Sequence, residues 1–476
     1  MPAHTPNTTL VRINARAAAD ERGLLAAPAR LTLRLTTPVH QGAPTRGAAL
    51  ELVSLSTPTD SFSHHDPTPD LVLDRPDAVL IPALVNAHAH LDLTHLGPRP
   101  HDPGEGFVAW VDMVRAGRAQ GDDEIAASVQ AGIDLSIRGG TAAIGDIAGA
   151  PAGVPNLTPF KTLRGSPLAG TSFLEFFAIG MGEQAALDRI AATLDACKRE
   201  GVVPHERAEP VRLGLQPHAT NTVARRAYLW AAQRARELGL PLCTHVAETP
   251  EEIEFIAHAQ GPQRALLERF GLWDDAIDIG HGEHPIEHLR AFLEACRDMI
   301  PPPLLVHIND VGLALPVLAA SGASVAYCPR ASAYFAAPDR LGPHRYREML
   351  DAGVNVCLGT DSVVCLPPEQ LTGDAARLSV LDDMRLLHAR DGTDVAELLS
   401  MGTTRGAKAL GLDPAPFRLD PGPIAGLLAI EAPPHSSDPL RDAMSESTRP
   451  EFLYLRNHAC QAAKNAAERT PDAYHP

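Results

Sequence analysis

His88 and His90 stand two residues apart in the segment VNAHAHLDLTHLG. On a β-strand the side chains of residues i and i+2 lie on one face, so both imidazoles point the same way. Two neutral imidazoles converging is a metal-ligand arrangement. Read alone, the pair is equally a set of hydrogen-bonded or exposed histidines. Three further ligand-type residues close apolar runs elsewhere: His245 in PLCTHV, His307 in PLLVH and Asp361 in VNVCLGTD. Each singly reads as a structural residue; together, in this order, they point to one shared site. Three His and one Asp leave room for a water and suit a borderline divalent cation, Zn²⁺ or Fe²⁺. Glu248 follows His245 by three residues, where a strand should turn into its loop. There it is placed to act as a general acid–base, although a lone H-x-x-E reads as a solvated Glu at a helix start.

Three more positions carry a double reading. Trp110, in EGFVAWVDMVRAGR, either lines a ring pocket or anchors a helix. Arg330, after the apolar run SVAYCPR, either contacts substrate or pairs with an acid. His281 in IDIGHGEHP rivals His307, but YCPR follows His307 at one strand–helix interval, so His307 is preferred.

Eight short apolar segments would position these residues: VLIPALVNAHAH (79–90), TAAIGDI (141–147), SFLEFFAI (172–179), VRLGLQPH (211–218), PLCTHVAE (241–248), PLLVHIND (303–310), SVAYCPR (324–330) and VNVCLGTD (354–361). Between them lie helix-like stretches such as DEIAASVQAGIDLSIRG and ARRAYLWAAQRARELG. Parallel strands need such crossovers. Eight repeats predict a closed (β/α)₈ barrel, whose active site is built at the C-terminal strand ends. That is where the candidate residues fall.

The flanks have another texture. LTLRLTTP, AALELVSLS and LVLDRPDAVLIPA read as β segments separated by turns, with His64 and His65 in a polar loop. After residue 412, LDPGPIAGLLAIEAPP resembles a strand hairpin, and EFLYLRNHACQAAKNAAER carries a helical pattern. Neither flank has enough strands to bury a sheet face alone. The expectation is therefore a small composite β-sandwich domain built from residues 1–80 and 413–476, the latter with a tail, beside a barrel at 81–412.

Composition narrows the function. The 476 residues are 45% hydrophobic and 21% charged, a globular composition. Net charge is −17, from 41 basic and 58 acidic groups. A nucleic-acid backbone would be repelled overall, which argues against a general nucleic-acid binder and leaves room for a nucleoside-sized ligand. The only lysines are Lys161, Lys198, Lys408 and Lys464, so lysine-based covalent chemistry has few carriers. Seven cysteines with no Cys-x-x-Cys pair fit neither a disulfide framework nor a thiolate zinc site. No apolar leader region and no run of 18 apolar residues is seen, so a cytoplasmic, membrane-free protein is expected.

The motifs V-N-A-H-A-H-L, H-V-A-E-T, L-V-H, Y-C-P-R and L-G-T-D-S resemble the amidohydrolase superfamily. Within it the chain is most similar to the cytosine deaminase-like branch, which includes triazine chlorohydrolases and adenosine-type deaminases. The likeness spans residues 79–412. CPRASAYF followed by REMLDAGVNVCLGTDS looks like aminodeoxyfutalosine deaminase-type members. The resemblance implies that His88, His90, His245 and Asp361 hold the metal and that Glu248 shuttles protons. It makes His307 the group orienting the attacking water and His218, in LGLQPHATNTV, a substrate-binding residue, against a structural reading of the same His. Binuclear members use a carbamylated Lys at a strand end. None of the four lysines ends a proposed strand, although Lys161 is near the third, so one divalent ion is expected.

The implied reaction is hydrolytic deamination of a small amino-substituted N-heterocycle, purine nucleoside-type and including aminodeoxyfutalosine. Release of chloride or alkylamine from a triazine, cleavage of an amide nitrogen, and a catalytically idle metal-binding protein are the alternatives. Assembly into a homo-oligomer stays open. Ser332 stands where the nearest members carry His or Asn, and PHATNTV replaces the commoner P-H-A-P-Y-T. Both departures bear on the substrate rather than the metal site.

Overall fold

The computed structural model describes residues 7–37, 49–58, 68–204, 209–433 and 435–456. His64, His65, Cys460 and the tail pattern beyond residue 456 lie outside the described residues. Five strands open the chain: β1 (Asn7–Asp20), β2 (Gly23–Ala26), β3 (Ala29–Thr37), β4 (Ala49–Ser56) and β5 (Leu71–Pro82). Eight more alternate with helices: β6 (Leu84–Ala89), β7 (Thr141–Ala148), β8 (Ala169–Phe176), β9 (Val211–Pro217), β10 (Cys243–Val246), β11 (Leu304–His307), β12 (Ser324–Tyr327) and β13 (Asn355–Leu358). Three follow: β14 (Gly422–Pro423), β15 (Gly426–Glu431) and β16 (Glu451–Leu455).

β6–β9 pair in parallel, as do β10–β13. The two halves meet at parallel bridges Leu215–Leu242 and Ala219–His245. On the other side the amides of Thr360 and Asp361 donate to the His88 carbonyl at 3.0 and 3.1 Å. The Asn86 and Thr360 side chains and backbone bond across the same seam. The sheet thus closes into the expected (β/α)₈ barrel. Gly359 permits the closure, since a Cβ there would lie 2.8 Å from the His88 Cβ.

Each barrel strand is buried on both faces, as parallel strands under helices must be. Val85, Ala143, Phe173, Ala326 and Cys357 pack one core, while their neighbours Leu84, Ile144, Leu174, Val325 and Val356 pack another against the helices. That period of two carries every second side chain inward. Among the described residues no helix is long and apolar enough to cross a membrane.

The remaining strands lie on one hydrogen-bonded path, β14-β4-β3-β1-β5-β15-β16, with β2 on β1. Strands from both ends of the chain therefore share a sheet. Its core includes Val11, Ile13, Leu31, Leu33, Leu427 and Tyr454. Three local expectations need correction. The segment 79–90 is two strands in different sheets, separated at Ala83, because β5 pairs with β1 and β15 while β6 pairs with β7. The proposed hairpin after 412 is not one: β14 pairs with β4, and β15 with β5 and β16. EFLYL is strand β16, with Leu453, Tyr454 and Leu455 buried, not the start of a helix.

Candidate active site

The C-terminal ends of the barrel strands bring six ionisable side chains into one cluster. His88 lies in β6 and His90 directly follows it; His245 lies in β10, and His307 ends β11. Ring centroids are 4.9 Å apart for His88–His90, 5.1 Å for His88–His245, 5.4 Å for His90–His245 and 5.8 Å for His88–His307. Asp361 Oδ1 is 3.6 Å from His90 Nε2 and 4.0 Å from His88 Nε2. Glu248 Oε1 is 3.5 Å from His307 Nε2. Donor atoms of His88, His245 and His307 lie within 4.8 Å of one another, as do those of His88, His90 and Asp361, and of Glu248, His307 and Asp361.

The backbone is bent to aim these groups. Ala247, His307, Ile308 and Asp361 have φ between 48° and 73°, a left-handed region that costs non-glycine residues about 1–3 kcal/mol each. Hydrogen bonds hold them there. Ile308 and Asn309 donate to the carbonyls of Val246 and Ala247 at 3.0 Å. Ser362 N donates to Asp361 Oδ1 at 2.7 Å. The buried Glu252 carboxylate accepts from the amides of Ala247 and Glu248 at 2.9 and 2.8 Å, and Asn309 Nδ2 donates to the Glu248 carbonyl at 2.9 Å. Glu248 is thus fixed from both sides of its peptide.

Burial, reinforced by the other imidazoles, holds His88, His90 and His307 well below the ordinary histidine range. Burial and the nearby His218 hold His245 at about 3. All four are neutral and keep lone pairs for a cation. Both ring nitrogens of His88 are sealed from solvent with no hydrogen-bond partner. Buried nitrogens seldom go unpaired in a native fold, and a cation coordinated by this set would satisfy one of them. Three imidazoles and a carboxylate are a zinc-type donor set. The residues present therefore fit a divalent ion, which His88, His90, His245 and Asp361 could hold. Burial, then Asp361 and Glu252, push the Glu248 carboxyl well above its usual range.

His218 directly follows β9 and stands beside the cluster, its ring 5.1 Å from His245 and 4.6 Å from Phe177. Trp110, on the helix Phe107–Gly117, packs on Phe107 and Phe335 at 5.3 and 5.2 Å. That aromatic group lies over the loops after β6 and β13, which Arg99 N and the Val364 carbonyl join at 3.1 Å. Arg330 takes the acid-pairing side of its double reading. Its guanidinium bonds Asp383 (3.0 and 2.8 Å), Gln370 (2.6 Å) and the Ser379 carbonyl (2.9 Å). His281 is exposed, paired with Asp278 at 2.9 Å, and away from the cluster.

Sequence reasoning passed over Asp92, Arg118, Glu175 and Glu252. Glu175 had a signal: an acid inside the apolar run FLEFF at a strand end. Arg118 had none, since its partner Asp92 is 26 residues away. Two cavities of about 540 and 600 Å³ lie around Arg225 and share no residue with the cluster.

A parallel eight-stranded barrel with His, Asp and Glu at its strand ends defines a hydrolase scaffold. Residues 79–457 match the amidohydrolase family, and the chain belongs to it. Over 387 residues it is 28% identical to the 5-methylthioadenosine/S-adenosylhomocysteine deaminase of Haloarcula marismortui, covering 78% of this chain and 77% of that one. It is 29% identical over 310 residues to the aminodeoxyfutalosine deaminase of Deinococcus radiodurans, covering 62% and 66%. The fold matches the Helicobacter pylori aminofutalosine deaminase structure with methylthio-coformycin at a TM-score of 0.68 and 18% identity, over 94% of this chain and 98% of that one.

Proposed function

We propose that this chain is a hydrolytic deaminase of an amino-substituted N-heterocycle of the purine-nucleoside type, working with one divalent ion, zinc by its donor set. The observation that carries this is the position of Glu248, whose Oε1 lies 3.5 Å from His307 Nε2 at the edge of the His/Asp cluster, in a burial that pushes its carboxyl above the usual range. The names of the relatives support it. A cation held by His88, His90, His245 and Asp361 would supply Lewis acidity, bringing the pKa of water toward neutrality.

The side chains do the rest. Glu248 gives its proton to a ring nitrogen, which makes the adjacent carbon electrophilic. Water adds to that carbon while Asp361 takes its proton, and neutral His307 hydrogen-bonds the incoming oxygen. Asp361 passes that proton to the amine, the carbon–nitrogen bond breaks with loss of ammonia, and the hydroxyl proton returns to Glu248, which leaves an oxo group on the ring and the acid recharged. No covalent enzyme intermediate is needed. Six cysteines are free thiols among the described residues, as a reducing, cytoplasmic setting requires.

A panel of aminopurine nucleosides, aminopyrimidines and chloro- or alkylamino-triazines, assayed for ammonia, chloride and amine, tests the reading. Ammonia from the aminopurine nucleosides is expected. Chloride or alkylamine release alone would put the chain with the triazine hydrolases instead.

A further inference from the structure

We propose that His344 is a positioning residue for the reaction: its Nε2–H holds the carbonyl of His307 and thereby aims the imidazole that bonds the incoming oxygen. This rests on the deaminase reading and adds a residue that lies outside every strand-end motif. His344 sits in the turn before the helix Tyr346–Asp351, 37 residues from His307, and is buried.

The need for it begins at the end of β11. His307 and Ile308 turn left-handed in succession, at φ 73° and 48°. The β11–β12 ladder stops at Val306–Ala326, so no strand neighbour on β12 takes the His307 carbonyl. A buried carbonyl without a donor is rare in a native fold. His344 Nε2 donates to it at 2.9 Å. At the other end of the same peptide, the Ile308 amide donates to the Val246 carbonyl at 3.0 Å. One bond comes from strand backbone, the other from a single side chain. Without that side chain the peptide is free to relax toward the extended region that non-glycine residues prefer, swinging the imidazole away from Glu248.

His344 is itself held. Its ring stacks on Tyr327 with centroids 3.7 Å apart and planes 18° from parallel. Tyr327 ends β12, is fully buried, and accepts at its hydroxyl from Arg390 at 3.2 Å. A carbonyl only accepts, so Nε2 carries the hydrogen of the His344 ring. Burial holds that ring at about 4, so it is neutral near pH 7 and Nδ1 keeps a lone pair. Nδ1 is sealed with no hydrogen-bond partner. Burying an unpaired polar nitrogen is costly, and an apolar ring would stack on Tyr327 as well. What the imidazole adds at this place is its one bond to the His307 carbonyl.

The test uses the metal-loaded protein and the aminopurine nucleoside that wild type turns over fastest. His344→Phe keeps a ring to stack and removes the N–H, whereas His344→Gln gives up the ring and keeps an amide donor. His344→Phe should lower kcat by about 10–10²-fold, the effect of a small misplacement, with metal content unchanged. KM should stay within about threefold, because substrate binding is not what His344 serves. His344→Gln should recover kcat to within about threefold of wild type, even if its Tm is the lower of the two. In a His307→Asn background, His344→Phe should change kcat by less than about twofold, since the two residues act as one unit. Wild-type kcat in His344→Phe, a Gln variant as slow as the Phe variant, or the same loss with and without His307 overturns the positioning role and leaves the deaminase reading standing. So does a crystal structure of the metal-loaded wild type with His344 Nε2 outside hydrogen-bond reach of the His307 carbonyl; this arm needs no variant to fold. No ammonia from any aminopurine nucleoside or free base on wild type overturns the deaminase reading and the role of His344 with it.

Discussion

Replacing Glu248 by Gln keeps the side chain's size and shape and removes its proton. Turnover should fall by about 10²–10⁴-fold, the usual worth of a general acid–base, while metal analysis shows the ion still bound. Near wild-type turnover would return Glu248 to the role of a loop residue. Asp361→Asn should behave differently, losing metal affinity and rate together, because its Oδ1 stands within 4.0 Å of two candidate ligands; dialysis against a chelator followed by metal analysis reads this. His88, His90, His245 and Asp361 were legible as candidates because each closes an apolar run, although Asp361, beyond the end of β13, is aimed by a left-handed backbone that the sequence does not announce. Arg330 was not, because its partner Asp383 lies 53 residues further on, on another helix. Glu175 was hidden for a related reason, since a buried acid in a strand acquires meaning only from the Arg118 and His218 that the barrel carries to it.

Elements far from the cluster carry their own titration. His288, on the helix Pro285–His288, is buried and held at about 3 by burial and then by Arg225. Asp278, His281 and Glu283 face the same spot. The folded chain keeps this imidazole neutral, whereas the unfolded chain takes up a proton near 6.5. The stability tied to it is fully present above that value and is lost as pH falls toward 3, by up to about 1.4 kcal/mol per pH unit. Urea unfolding at about pH 7 and about pH 5 should show a smaller acid loss in His288→Asn than in wild type. An unchanged loss would mean that His288 is protonated in the fold. Element by element, the eight barrel strands were readable because short apolar runs alternated with helical stretches. β1 was not read as a strand, since its Ala-rich second half, ARAAAD, has no β-branched residue to mark it. The β14–β15 segment reads as a hairpin locally, but long-range pairing with β4 and β5 decides its course.

At the largest scale, strands from both flanks of the barrel share one sheet. β15 runs antiparallel to β5 from Leu427–Pro82 to Glu431–Ala78, and both contribute to buried cores. We propose that the two terminal segments act as one domain. A chain ending at Leu412 should then expose the β4 and β5 edges and lose soluble yield, as unprotected edge strands do; a monomeric, cooperatively melting product would contradict this. One titration bears most directly on the central claim, that four strand ends build a single-cation hydrolase site. Protein stripped of metal is titrated with Zn²⁺ while ammonia release from an aminopurine nucleoside is followed. Activity should rise from background in proportion to added metal and level off at about one equivalent per chain, as three imidazoles and one carboxylate provide for. Full activity in the stripped protein, or a rise that continues to about two equivalents, would contradict it.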